Sequence, residues 1–244
     1  GADLAQFRLW YTQAGTPRLH CRGEWDADAG EYTLRVRQEV PATAGQPDKA
    51  PMHLPVAVGL LDADGNDLPL RLAGEDEWTG GATRVLEIRE TEQAFTFTGL
   101  GAKPVPSLLR GFSAPVRVQF DYSDTDLAFL LAHDSDLFNR WEAGQELAQR
   151  ALFRCVDAYR AGGDMALDQG LIDAFGALLR GPADDRALVA EALTLPDEGY
   201  LADLAEPPVD PQAIHAARAF ARRRLGEALA SELEAAYHAN AETG

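Results

Sequence analysis

Two hydrophobic periods in one chain predict a mixed fold: an N-terminal antiparallel β-sandwich, Ig-like in the number and spacing of its strands, followed by an all-α helical array. From residue 18 to Tyr122 apolar residues alternate with polar ones, and after Tyr122 they recur every three to four positions. No helical pattern interrupts the strand region, so its consecutive strands lack the crossovers that parallel pairing needs. At 244 residues, 46% hydrophobic and 25% charged, the chain has apolar material for one or two domains.

The first element is a short helix in "FRLWYTQAGTPRL". Phe7, Trp10 and Tyr11 lie three and four apart, so one face carries three rings before Gly15 and Pro17 end the helix. Those rings need a surface to bury them, either in this chain or outside it. The clearest strand is "YTLRVRQEV", with Tyr32, Leu34, Val36 and Val40 on one side and Thr33, Arg35, Arg37 and Glu39 on the other. A strand through Leu19 and Cys21 precedes it, and Cys21 reads as a core residue. Further strands are expected in "LPVAVGLLD", "DLPLRLA", "TRVLEIRE", "AFTFTGL" and "PVRVQFDY", with turns at Asp64-Gly65 and Gly80-Gly81. About seven strands at this spacing make a sandwich.

Beyond Tyr122, Leu137, Trp141, Leu147, Leu152, Val156 and Tyr159 form a helical stripe, and "LIDAFGALLRGP" repeats it up to Gly181-Pro182. A third helix is expected in "DDRALVAEALTLP", opened by acidic residues that suit its N-terminal dipole, and a short fourth in "DEGYLADL". Asp210 as N-cap and Pro211 at the first helical position then start one long helix. Its apolar face holds Ile214, Phe220 or Ala221, Leu225, Leu229, Leu233 and Tyr237.

The charge excludes partners rather than naming them. A formal net charge of −17 opposes nucleic acid and anionic membrane surfaces. The helical half carries most of it: 22 acidic and 10 basic residues give −12, against 17 and 12, or −5, in the strand half. Arg222, Arg223 and Arg224 are consecutive on a helix, so their side chains diverge by about 100° each and form no single patch. No stretch of about 18 apolar residues is present, so no membrane span is expected. Cys21 and Cys155 are too few and too far apart for a disulfide framework or a C-x-x-C metal site, which points to a reducing, cytoplasmic setting. The sequence opens Gly1-Ala2 without methionine, as expected of a piece of a longer chain.

No active-site motif is complete. His20, His53, His133, His215 and His238 include no pair four apart, so H-E-x-x-H is absent. "DADGND" at 62–67 has its glycine at the fourth place of a would-be calcium loop, with Ala73 where the bidentate glutamate belongs, and reads as a hairpin turn. "GFSAP" places Ser113 as a nucleophile elbow would, yet Pro115 replaces the closing glycine and a strand follows. Asp134 and Asp136, or Glu75, Asp76 and Glu77, are paired carboxylates of the kind that cap helices and line wet loops. His133 before Asp134 could form a His–Asp pair, or end one helix while Asp136 caps the next. Cys155 lies on an apolar stripe, the place of an inert thiol. Trp25 and Trp78 near turns are either packing residues or a ligand-binding surface.

Four blocks carry a resemblance: "FRLWYTQAGTP", "YTLRVRQEVPATAGQPDKAPMHLPVAVGLLDADG", "FSAPVRVQFDYSDTDLAFLLAHDSDLFNRWEAGQ" and "ALTLPDEGYLAD". In this order they resemble bacterial members of the aminopeptidase N (alanyl aminopeptidase) family of M1 zinc metallopeptidases, across essentially the whole sequence. The resemblance implies that residues 1–13 end a catalytic domain, 14–122 are the family's β-sandwich, and 123–244 are the first part of its helical domain. It implies zinc in the parent enzyme, bound upstream of this segment through H-E-x-x-H, and N-terminal peptide hydrolysis as the parent's reaction. None of the family's zinc ligands, general-base glutamate, transition-state tyrosine or G-A-M-E-N motif has a counterpart here. No catalytic, cofactor-binding or metal residue is therefore expected. The implied role is that of a spacer and part of the substrate-chamber cover, with the parent's remaining domains and peptides as partners. Apolar helical surface left uncovered would favour self-association of the segment. The competing reading is a non-catalytic module that binds a ligand or a protein.

Overall fold

The computed structural model describes residues 4–75, 80–181 and 186–241. By its contacts the chain falls into two compact units. The first holds the described residues up to Tyr122 together with Asp134–Asn139. The second holds Ser123–His133 and the described residues from Arg140 onward.

Among its described residues the first unit is a sandwich of seven strands: β1 (Arg18–Asp26), β2 (Glu31–Glu39), β3 (Leu54–Leu61), β4 (Thr83–Ile88), β5 (Glu92–Phe97), β6 (Val105–Leu108) and β7 (Arg117–Phe120). One sheet has the order β5-β2-β1-β7 and the other β4-β3-β6. All pairs are antiparallel except β1 with β7, where Arg18 faces Arg117 and Cys21 faces Phe120. Because these are the first and last strands, the whole sandwich serves as their connection. Leu19, Tyr32, Leu34 and Val36 of one sheet meet Leu54, Val56, Val58 and Leu60 of the other in the core. Cys21 is half-buried against that core.

One expected strand is corrected, and one strand was not expected. "DLPLRLA" makes only isolated bridges, Leu61 with Asp67 and Leu72 with Phe97. Instead Val105–Leu108 supplies the edge strand β6, where Pro106 interrupts the sequence signal yet sits opposite Leu60. On β2 the inward position after Val36 belongs to Gln38, which is 4% exposed. Its side-chain amide donates to the carbonyls of Met52 and Glu90 at 3.0 and 2.9 Å and its oxygen accepts from Met52 N at 2.9 Å. With both its ends bonded it can lie in the core at little cost.

The N-terminal rings form a 3₁₀ turn, Phe7–Tyr11, not an α-helix. Trp10 packs on the sandwich core and its indole N–H donates to His53 O at 3.1 Å, and Phe7 meets the His53 ring edge-on at 6.3 Å. Tyr11 points outward, 85% exposed.

The second unit contains α1 (Asp124–His133), most of α2 (Leu137–Arg160), α3 (Gln169–Arg180), α4 (Arg186–Ala192), α5 (Glu198–Leu204), α6 (Pro211–Ala228) and α7 (Ala230–Ala241). Asp197 caps α5 by accepting from Tyr200 N, and Asp210 caps α6 by accepting from Ala213 N. α1 packs on α3, α5 on α6, and α7 on α3 and α6. The acidic opening expected for α4, Asp184 and Asp185, lies outside the described residues, as do Asp76, Glu77 and Trp78.

The expected single long last helix is two. Leu229 leaves helical geometry at φ −113°, ψ 21°, about one turn after Gly226, the weakest helix former in the interior of α6. Ile214, Ala221, Leu225 and Leu229 are buried, so Ala221 and not Phe220 completes the face. Past the break the stripe comes free of cover: Leu233 is 41% and Tyr237 71% exposed.

Candidate functional site

The residues that chemistry singled out are dispersed and individually occupied. Ser113 Oγ accepts from Ala57 N at 2.8 Å, so its lone pairs serve the fold. Cys155 is buried with its Sγ 3.4 Å from Ala166 O, and burial raises its thiol pKa. Burial alone pushes the Cys21 thiol up to about 12. Asp62 Oδ1 accepts from the amides of Asp64 and Asn66 at 2.9 and 2.8 Å, which makes "DADGND" the expected turn. His133 ends α1 and stacks at 4.9 Å on Phe129, and Asp136 caps the next helix by accepting from Asn139 N at 3.0 Å. His20, His53, His215 and His238 each approach a single glutamate: Glu39, Glu87, Glu198 and Glu234. Trp25 is partly buried against the sandwich core. Among the described residues no group of three or more His, Cys, Asp or Glu side chains could hold a metal ion.

What the sequence did not single out is Arg110. Its guanidinium is 5% exposed and donates to Ser107 Oγ at 2.8 Å, Thr83 Oγ1 at 3.1 Å, Asp67 Oδ1 at 2.6 Å and Asp134 Oδ1 at 3.3 Å. It lies flat over Gly59 of β3, where an added Cβ would fall 2.0 Å from its Cζ. Asn139 donates to Ser107 Oγ and Leu108 O, each at 2.9 Å, and Gly111 N donates to Asp136 Oδ2 at 2.7 Å. One buried cation thus binds residues 134–139 to the sandwich. The two carboxylates differ. Burial raises the Asp134 pKa against the pull of Ser107, the Asp136 amide and Arg110. At Asp67 burial also pushes upward, but hydrogen bonds from Arg110 and Ser135 and the Arg110 charge outweigh it and hold the pKa low. The only sequence signal was a lone arginine after the apolar pair Leu108-Leu109.

A second network joins residues 12–15 to 41–50. Gln13 and Ala50 exchange bonds of 2.9 and 2.8 Å, and the Gln46 side chain accepts from Ala14 N at 2.8 Å and donates to Thr12 O at 2.7 Å. Lys49 Nζ donates to Pro41 O at 2.7 Å, to Thr43 Oγ1 at 2.9 Å and to Ala14 O. Three acceptors match the three ammonium hydrogens in a tetrahedral arrangement that a planar guanidinium cannot copy. This explains a lysine in a chain with only two, Lys49 and Lys103. Both networks shape the first unit.

Fold and sequence together define a class: an Ig-like β domain joined to an ARM-repeat helical domain. Residues 15–121 match the family described as a domain of unknown function (DUF3458) with an Ig-like fold, and residues 124–244 match its companion, DUF3458_C, described as ARM repeats. Aminopeptidase N of Escherichia coli (strain K12) is 38% identical over 238 residues, which cover 98% of this chain and 27% of that protein. The Haemophilus influenzae and Caulobacter vibrioides proteins of the same name are 36% and 39% identical over 96% and 92% of this chain. The crystal structure of Legionella pneumophila aminopeptidase A in complex with aspartic acid superposes with a TM-score of 0.74 at 27% identity, over 97% of this chain and 25% of that one. The two domain matches together span nearly the whole chain, which is similar over that length to bacterial aminopeptidase N proteins and spans about a quarter of the length of these relatives.

Proposed function

We propose that this chain is the non-catalytic sandwich and helical portion of an M1-family zinc aminopeptidase that removes N-terminal residues from peptides. The observation that supports it is identity of 36–39% to three aminopeptidase N proteins through both domains. In this reading zinc and the reacting groups belong to the parent protein outside this segment, and the parent works in the cytoplasm, in keeping with two free thiols.

The sandwich acts as a rigid spacer: its buried inner faces and the Arg110 node leave little freedom between its two ends. The helical portion forms part of the cover that closes the substrate chamber and excludes water from the reacting bond. Its −12 charge attracts basic peptides more than acidic ones, so added salt is expected to slow the parent's turnover of basic peptides selectively. The partners are the parent's other domains and its peptide substrates, with no nucleic acid or membrane among them.

The test is direct. The isolated 244-residue chain should retain no stoichiometric zinc after dialysis and release no chromophore from an alanyl anilide. Turnover by the isolated chain would refute the assignment, and saturable binding of a folded protein from outside the parent would favour an interaction module.

A further inference from the structure

Helix α6 brings a basic and an apolar cavity together at two shared arginines. His215, Arg218 and Arg222 stand at intervals of three and four, and Leu225 and Leu229 continue the same face. A cavity of about 440 Å³ is lined by Glu198, His215, Arg218, Arg222 and Arg223. A second, of about 400 Å³, is lined by Arg218 and Arg222 again, now with Phe175, Leu179, Leu193 and Leu225.

Among the described residues no ion pair engages the arginines at their junction. Glu198, the one carboxylate in the lining, is taken by His215 Nδ1 at 2.9 Å. Arg218 is fixed by backbone only, donating from Nε to Pro196 O at 2.8 Å and from its second amino group to Leu195 O at 3.4 Å. Among the described residues neither Arg218, Arg222 nor Arg223 has an ion-pair partner, in a half-chain whose net charge is −12. A half-buried, pre-oriented guanidinium without a counter-ion, beside an apolar cavity, is complementary to a ligand with one anionic end and one apolar end.

We propose that this junction binds a small amphiphilic carboxylate, its anionic group on Arg218 and Arg222 and its apolar group among Phe175, Leu179, Leu193 and Leu225. A polyanion would need a longer basic track and would leave the apolar cavity unused. A neutral apolar ligand would leave the arginines unpaired. Nothing in this site draws on the aminopeptidase reading.

Octanoate is the probe, titrated calorimetrically into the 244-residue chain at low salt, with acetate, 1-octanol and octylamine as controls. Octanoate should bind saturably at one site and at least about tenfold more tightly than any control, a difference of about 1.4 kcal/mol. Arg222→Gln, at an exposed position that holds no backbone, should weaken octanoate about tenfold with an unchanged circular dichroism spectrum, and Arg218→Gln should add to it. Three results would overturn the proposal: octanol binding as tightly as octanoate, octanoate binding indifferent to Arg222→Gln, or no saturation up to about 10 mM.

Discussion

Arg110 and Lys49 show how single side chains carry structure that hydrophobic patterning does not reveal. Removing Arg110 strands the Asp134 carboxylate, which is 2% exposed, so Arg110→Ala should cost about 3–5 kcal/mol in denaturant unfolding. Gly59→Ala should act in the same direction by displacing the guanidinium. The two carboxylates should respond oppositely to pH. Asp67 is held below its ordinary value of 3.8, so its contribution is present above that pH and is lost as pH falls through the folded value. Asp134 is held above 3.8, so the folded state binds the proton better, and its contribution declines as pH rises from the ordinary value through the folded one. Asp67→Asn should therefore destabilise by about 1–3 kcal/mol at neutral pH, whereas Asp134→Asn, which keeps an acceptor for Arg110, should be milder and improve relative to wild type as pH rises. Equal losses at all pH values would contradict this division. Lys49→Arg should lower the midpoint of unfolding although it conserves charge, because its planar fork cannot meet Ala14 O, Pro41 O and Thr43 Oγ1 together.

At the level of elements, Gly226 offers a clean test of the break before α7. It sits inside α6 with nothing within 4 Å of an added Cβ, so Gly226→Ala should stabilise by about 0.5–1 kcal/mol, read as a rise in thermal midpoint. A fall would mean that the break needs glycine there. The strands and most helices were legible because each has one buried face, and burial imposes its period on the sequence: β2 alternates through Tyr32, Leu34 and Val36 as expected. Less legible were elements decided by tertiary contacts. β6 forms despite Pro106 because it is an edge strand, and "DLPLRLA" makes only isolated bridges although its alternation is good. The bend at Leu229 arises where Leu229 Cδ2 packs close to Gly176 of α3, a contact no local pattern encodes. The basic and apolar cavities on α6 were not legible, since they form where Arg218 and Arg222, four apart on the helix, meet residues of other helices.

On the scale of the whole molecule, the two domain matches and the similarity to aminopeptidase N proteins extend over nearly every residue. The exposed stripe of Leu233 and Tyr237 lines an open groove of about 920 Å³ with Leu178, Val189 and Leu193. Apolar surface of this kind favours contact between copies of the isolated chain. Sedimentation should show mass rising with concentration and Leu233→Glu should suppress it; a monomer at every concentration would count against that contact. This segment is proposed to serve a zinc aminopeptidase without performing its chemistry. The measurement that tests it most directly is alanyl anilide hydrolysis by the intact product of the gene that encodes this chain, before and after chelation. Hydrolysis that is lost on chelation and restored by one zinc per molecule is the predicted result. An intact gene product that neither binds zinc nor cleaves the anilide would contradict it.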